Sequence, residues 1–157
     1  MELDLRLQNT KDLNNNFHNI KRVTIMSKPT KDDAALLLQF MAVMASDEDN
    51  KKATNWIYEK FNEKNYDEFK AKYPIGSEGY RNFMTFASNA ELLGTLINKD
   101  LLSEDLVFDL YGSMLWEKVA PIVHGMRKDF ERPRLFENYE VFAKKYPMWA
   151  EKNPPKV

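Results

Sequence analysis

ASNAELLGTLINKDLLSEDLVFDLYGSMLWEKVAPIVHGMRKDF, residues 87–130, is the stretch that decides the fold. It predicts a long helix, a tight turn at Lys99-Asp100-Leu101-Leu102, and a second long helix. The first of these helices extends back to about Glu78 and runs to about Lys99. Apolar or small residues recur in it at Tyr80, Phe83, Ala87, Ala90, Gly94 and Ile97, in alternating steps of three and four. Phe86, Leu93 and Leu96 add a second stripe, and a helix apolar on two sides belongs in the middle of a bundle. Ser103 is placed to cap the second helix, with Glu104 and Asp105 at the positive end of its dipole. Pro121 lies inside the periodic pattern. It cannot donate to the carbonyl of Glu117, and its ring crowds that carbonyl. Ala120 is a poor N-cap for a new helix, so the sequence predicts a kink rather than a break, with the spacing resuming at Ile122, Met126 and Phe130. A turn centred near Leu101 sets Ala90 opposite Gly112. Close packing there predicts that Gly112→Leu overpacks the pair at a cost of about 1–3 kcal/mol.

Working outward, Thr30 and Asp33 form a capping box with Asp in place of the usual Glu. The helix they open reaches about Ala45, with Leu36, Leu37, Phe40, Met41 and Met44 as its inner face. Ser46 is read as the cap of the next helix, whose first turn is Asp47-Glu48-Asp49. Ala53, Trp56, Ile57 and Phe61 point inward from that region. A short helix over Tyr66 to Lys72 ends before Tyr73-Pro74, because the residue before proline avoids the helical region. Gly76-Ser77-Glu78 is a turn followed by an N-cap. A last helix begins at Arg132-Pro133 and reaches about Lys145, with Leu135, Tyr139 and Phe142 inward; Pro147, Pro154 and Pro155 then predict an irregular tail. The expected architecture is all-α. It is a single-domain bundle of about five to six helices around a central long antiparallel helix hairpin, whose second helix is kinked at Pro121. The domain is assigned to residues 29–149 and a C-terminal tail to 150–157. Residues 1–28 read as a separate tail. Met26 could be the true start, or Leu3, Leu5, Leu7 and Leu13 could form an arm that packs on the body or on a partner.

Composition narrows the function classes. A chain of 157 residues is one domain by length and buries roughly 70% of its unfolded surface. Ten Phe, seven Tyr and three Trp supply large core contacts. The absence of cysteine excludes disulfides and thiolate chemistry and fits a reducing compartment. A net charge of −1 provides no global field toward nucleic acid or anionic lipid. The run from Ala34 to Ala45 is shorter than the roughly 20 residues a membrane helix needs, and Asp32, Asp33 and Asp47 flank it. These features predict a soluble cytoplasmic protein with no membrane insertion.

No strong catalytic pattern emerges. Bundle di-metal sites use Glu-x-x-His pairs, but Asn15 and Pro121 stand three residues before His18 and His124, the only histidines. Gly112-Ser113-Met114 is not a nucleophile elbow, because no strand precedes it. Gly76-Ser77-Glu78-Gly79 lacks the lysine and the length of a phosphate loop. The late basic residues Arg127, Lys128, Arg132, Arg134, Lys144 and Lys145 alternate with Asp129, Glu131, Glu137 and Glu140, too evenly for a phosphate-tracking stripe. Neither a cofactor nor a metal nor a nucleic acid is therefore expected. The polar residues bordering the long hairpin are Glu91, Asp109, Glu117 and Arg127. They are the candidate functional or specificity cluster, with a Glu117–Arg127 pair under the kink as its core. The plainer reading of such a pair is structural. Tyr73 and Trp149 are candidate partner-contact residues; the alternative for each is core or tail packing.

The motifs Tyr73-Pro74-Ile75-Gly76-Ser77-Glu78, Leu101-Leu102-Ser103-Glu104-Asp105-Leu106 and Phe108-Asp109 with Gly112 occur in one order. Trp116-Glu117-Lys118-Val119-Ala120-Pro121-Ile122-Val123, Gly125-Met126-Arg127 and Glu137-Asn138-Tyr139-Glu140 follow. Over roughly Pro29 to Trp149 the chain resembles a prokaryotic family of small helical domains of unknown function. The resemblance implies an all-helical domain with no assigned reaction. Some relatives carry an N-terminal membrane helix, from which this chain departs. The function expected from the sequence is a non-catalytic protein-interaction or regulatory module, with an unidentified protein partner or a second copy of the chain. The alternative is a small enzyme or ligand-binding bundle using Glu91, Asp109, Glu117 and Arg127.

Overall fold

The computed structural model describes residues 28–156. The expectations placed on residues 1–27, the leucine arm and the start at Met26, lie outside the described residues. Within them every regular element is helical: α1 Lys31–Ser46, α2 Glu48–Glu59, α3 Tyr66–Lys72, α4 Glu78–Asn98, α5 Glu104–Met114, a π-helical turn Leu115–Val119, α6 Ala120–Asp129, α7 Glu137–Ala143 and α8 Tyr146–Lys152. The path over residues 104–129 is unbroken. The predicted long hairpin is thus α4 with α5, the π turn and α6.

Local chemistry sets the helix starts. The capping box forms: Thr30 N–H donates to Asp33 at 2.8 Å and Asp33 N–H to the Thr30 hydroxyl at 3.1 Å. The other Asp33 oxygen accepts Ser103 N–H at 2.7 Å, which ties the start of α1 to the start of α5. Thr30 chiefly, helped by Ser103, holds the Asp33 carboxyl below its ordinary pKa. One cap differs from expectation. Ser46 is the last residue of α1 and its hydroxyl donates to the Val43 carbonyl. Asp47 caps α2 instead, accepting Asn50 N–H at 2.8 Å; a carboxylate is the stronger acceptor at the positive end of a helix. Pro147 does not open an irregular tail. It sits in the first turn of α8, where its missing N–H is no loss.

The central helix α4 packs on α2 along one flank and on α7 along the other. Phe83, Ala87, Ala90 and Ile97 are buried, as their spacing predicts. Phe61, Phe69 and Phe83 make one aromatic cluster, with Phe69 and Phe83 centroids 4.7 Å apart. Phe108 and Phe142 stack at 4.5 Å in a second, with Tyr146 and Trp149 beside them.

The closest backbone approach is not the expected one. A Cβ on Gly112 would meet the Tyr146 ring of α8 at 2.3 Å, so Gly112 makes room for that ring rather than for Ala90. Ala90 instead shares a cleft with Tyr111, Met114 and Leu115, whose larger side chains hold α4 and α5 apart. Gly94 provides the tight contact: a Cβ there would lie 2.6 Å from the backbone of Asn138 and Tyr139.

Pro121 is accommodated within a continuing helix. The π turn lies immediately before it, and Ala120 N–H bonds the Leu115 carbonyl five residues back. The wider turn is one of the few ways a helix absorbs such a disturbance. The Leu115 carbonyl also accepts the hydroxyl of fully buried Tyr139, whose phenol burial holds well above its ordinary pKa. Tyr139 of α7 therefore fastens the π turn to the core.

Candidate functional site

The sequence-predicted polar residues serve two different places. Glu91 on α4 reaches the start of α7, accepting Tyr139 N–H at 2.8 Å, the Asn138 side-chain amide at 2.8 Å and Asn138 N–H at 3.3 Å. A carboxylate at that point satisfies helix-end donors and complements the dipole. Arg127 on α6 grips the same connection from its other side. Its guanidinium donates to the Leu135 carbonyl at 2.9 and 3.0 Å and to the Phe136 carbonyl at 3.2 Å. Its carboxylate partner is Glu140 rather than Glu117. The reason is geometric: Glu117 faces solvent from the π turn, whereas Glu140 on α7 lies beside Arg127. Glu140 also meets Lys144 at 2.8 Å and exposed His124 at 3.6 Å. Asp109 is exposed on α5, 3.8 Å from Lys156. The structure thus brings Glu91 and Arg127 to the two sides of residues 135–139 and leaves Asp109 and Glu117 apart from them. Among the described residues no group of three or more His, Asp or Glu side chains is arranged to hold a metal ion.

The aromatic candidates pack against the body. Tyr73 is half-buried, with its ring 5.0 Å from Trp56 and 5.5 Å from Phe69, under the Lys72 ammonium. Trp149 is buried against Phe108, and its indole N–H donates to Asp105 at 2.7 Å. That bond gives Asp105 a tertiary role beyond the expected dipole term.

The unfilled apolar surface lies elsewhere, on a cleft of about 410 Å³. α1 lines it with Phe40, Met41, Met44 and Ala45; α4 contributes Phe86, Ala90 and Leu93; and Tyr111, Met114 and Leu115 come from α5 and the first residue of the π turn. One edge is polar. Lys51, Thr54, Asn55 and Tyr58 recur along one face of α2, as a 3.6-residue repeat places them. Asn89 closes that edge by donating to Asn50 at 2.7 Å. Burial chiefly, and the neighbouring Tyr111, push the Tyr58 hydroxyl pKa up; burial does the same to Tyr111. Both phenols, neutral near pH 7 in any case, keep their protons into more alkaline solution. Lys51 is spoken for by Glu48 at 2.6 Å. The volume falls in the range of ligand-sized pockets, and apolar walls with a few converging polar groups are the usual make-up of such sites.

α1 is the unusual wall. Only Leu37 of its residues is buried, and Leu38 and Val43 are 65% and 59% exposed. Between Ala34 and Ala45 there is no charged residue. The sequence predicts a helix with one inner face here. The available signal was the missing polar face, since a helix apolar all round is normally covered.

The family model of a domain of unknown function, DUF4760, matches residues 29–146. The chain belongs to this family. The match takes in all four walls of the cleft and stops at Tyr146, so most of α8 falls beyond it. No curated protein and no solved structure matches the chain. Among the described residues of this DUF4760 chain, no helix is long and apolar enough to cross a membrane.

Proposed function

We propose that this domain is a non-catalytic protein-interaction module whose binding site is the apolar cleft between α1, α2, α4 and the α5 π turn. The observation that carries the reading is the lining. Phe40, Met41, Met44, Phe86, Leu93 and Met114 face an unfilled volume. Methionine-rich apolar surfaces adapt to the side chains of a partner helix. The polar edge along α2 suits the hydrophilic border of an amphipathic segment. A π turn at Leu115 supports the assignment, since such turns recur at functional sites. Glu91 and Arg127 instead hold the start of α7. A cytoplasmic setting fits the cysteine-free sequence.

The test is affinity purification of the full chain from its native cell, followed by rebinding of the purified partner. Ala45→Trp, at the exposed rim, plugs the cleft without entering the core. The reading predicts at least about tenfold weaker binding to this variant, with an unchanged circular dichroism melt. A partner bound equally well by both forms would refute it.

A further inference from the structure

We infer that the polar groove between α2 and the start of α4 is a second binding site, for a small neutral polyhydroxy ligand such as a monosaccharide. It lies on the next flank of α2 from the apolar cleft, with Lys51 and Asn55 on the ridge between the two. The inference goes beyond the interaction-module reading and is decided independently of it.

The groove has a volume of about 350 Å³, at the small end of ligand-sized pockets. Asn82, in the second turn of α4 where that helix packs on α2, carries the inference. It is only 7% exposed, and its amide makes no hydrogen bond among the described residues. Burying a primary amide without a partner is costly. Among the described residues no buried side-chain nitrogen or oxygen is sealed from solvent without a partner. The Asn82 amide therefore opens onto the groove that it lines. Packing alone would be served by an apolar side chain there, as it is at the adjacent Phe83.

The lining sets the class of ligand. Every charged side chain of the groove is exposed and stands at its rim. Lys51 is matched by Glu48 at 2.6 Å, and Lys52 by Glu78 at 2.7 Å, the second pair joining α2 to α4. Glu59 and Lys60 have no ion-pair partner among the described residues, and their charges offset each other. The inner groups, Asn82 and half-buried Trp56, are neutral. A phosphate or carboxylate would give up its hydration there against uncharged groups, and no net charge draws it in. A hydroxyl both donates and accepts, as a primary amide does, so a hydroxyl-rich ligand suits Asn82. Glu59 can accept from such a ligand, and Lys60 and the indole N–H of Trp56 can donate to it. Trp56 is the one aromatic residue of the lining, and Phe61 and Tyr73 fix its ring at centroid distances of 5.1 and 5.0 Å. A fixed indole offers apolar surface to the C–H face of a sugar ring at little entropic cost.

Proton–nitrogen NMR of the full chain, titrated with glucose, galactose and mannose up to about 50 mM, is the test. At least one sugar should give saturable shifts at the side-chain N–H signals of Asn82 and Trp56, with a dissociation constant on the order of millimolar. The indole N–H of Trp149, already donating to Asp105, should not move. Asn82→Leu keeps the shape of the side chain and removes the amide. It should weaken binding at least about tenfold and leave the Tm unchanged or higher, because an amide without a partner in the protein is not missed by the fold. Glu59→Ala, at an exposed position that leaves folding intact, should weaken binding about threefold or more. A lower Tm in Asn82→Leu would mark the amide as structural and overturn the inference. Shifts with none of the sugars, leaving the groove to water, would overturn it, as would a response to inorganic phosphate or N-acetylglycinamide in place of sugar. Sugar binding undiminished in both variants would place the ligand elsewhere and overturn it equally. The Ala45→Trp protein should take up sugar like wild type, so the groove and the cleft fail or stand separately.

Discussion

Gly94→Ala is the substitution that most sharply separates packing from helix propensity in this fold. Alanine in place of glycine inside an open helix stabilises by about 1 kcal/mol. Here the added methyl would lie 2.6 Å from the carbonyl carbon and oxygen of Asn138 and from the Tyr139 nitrogen, whereas ordinary contact begins at 3.4 Å. The obstacle is backbone, so no rotamer change relieves it, and α7 must move by about 0.8 Å. That shift would lengthen the 2.8 Å bond from Tyr139 N–H to Glu91 beyond the useful range of roughly 3.2 Å. The overpacking cost therefore falls near the upper end of the usual range, about 3 kcal/mol. Net of the propensity gain, the variant should lose about 2 kcal/mol, and at this chain length its Tm should fall by about 4–8 °C. Gly112→Ala is the internal control. Its methyl meets the rings of half-buried Tyr146 and, at 3.1 Å, buried Phe108; these are side chains rather than backbone, so its loss should be smaller than that of Gly94→Ala. Thermal and urea unfolding of the two variants beside wild type is the assay. A Gly94→Ala protein as stable as wild type or more so would refute the close approach of α4 and α7.

Three further expectations concern the polar framework. Tyr139→Phe removes the hydroxyl that fastens the Leu115 carbonyl and should cost about 1–2 kcal/mol; hydrogen exchange at Ala120, whose N–H bonds the same carbonyl, should quicken, and unchanged exchange there would remove Tyr139 from the account of the π turn. Arg127→Lys keeps the charge but loses the planar fork across Leu135, Phe136 and Glu140, so a loss of about 2 kcal/mol is expected in urea unfolding; a neutral result would contradict its role as a clamp. Glu63 is nearly buried; burial alone would raise its pKa, but Lys72 and the N–H of Asn62 outweigh that, and the carboxyl titrates below its ordinary value of 4.5. Its stabilisation is therefore fully present above pH 4.5 and is lost as pH falls through the lowered folded-state value. Glu63→Gln should cost about 1–2 kcal/mol at pH 7 and flatten the acid limb of the stability profile, and an acid limb identical to wild type would exclude Glu63 from it.

Much of this fold is written in local chemistry. The two stripes of α4 are readable because each position repeats every three or four residues, and Phe83, Ala87, Ala90 and Ile97 are buried accordingly. Thr30 with Asp33 is readable because a capping box needs only four consecutive residues. What escapes the sequence depends on partners far along the chain. The π turn is bonded by Tyr139, 24 residues beyond Leu115. Gly112 looks like a contact for α4 until α8 supplies Tyr146, and Pro147 hides α8 by resembling the start of a tail. Arg127 has a nearer acid in Glu140, which only the return of α7 reveals. The cleft is the hardest case. Its α4 and α5 walls read as ordinary apolar stripes, and nothing local says that Tyr111 and Met114 will leave space between α4 and α5 rather than fill it. For α1, the charge-free run from Ala34 to Ala45 is visible in the sequence, but its exposure on the folded surface is not.

Methionine-methyl NMR of the full chain, titrated with the amphiphilic, anionic fluorophore bis-anilinonaphthalene sulfonate, tests the cleft most directly. Met41, Met44 and Met114 line it, whereas Met126 is buried on α6 and Met148 is exposed on α8. Saturable shifts at the three cleft methyls are predicted, with Met126 and Met148 unmoved and with the response lost in Ala45→Trp. No shift at Met41, Met44 and Met114, or shifts spread over every methionine alike, would contradict the cleft as the binding site of this domain.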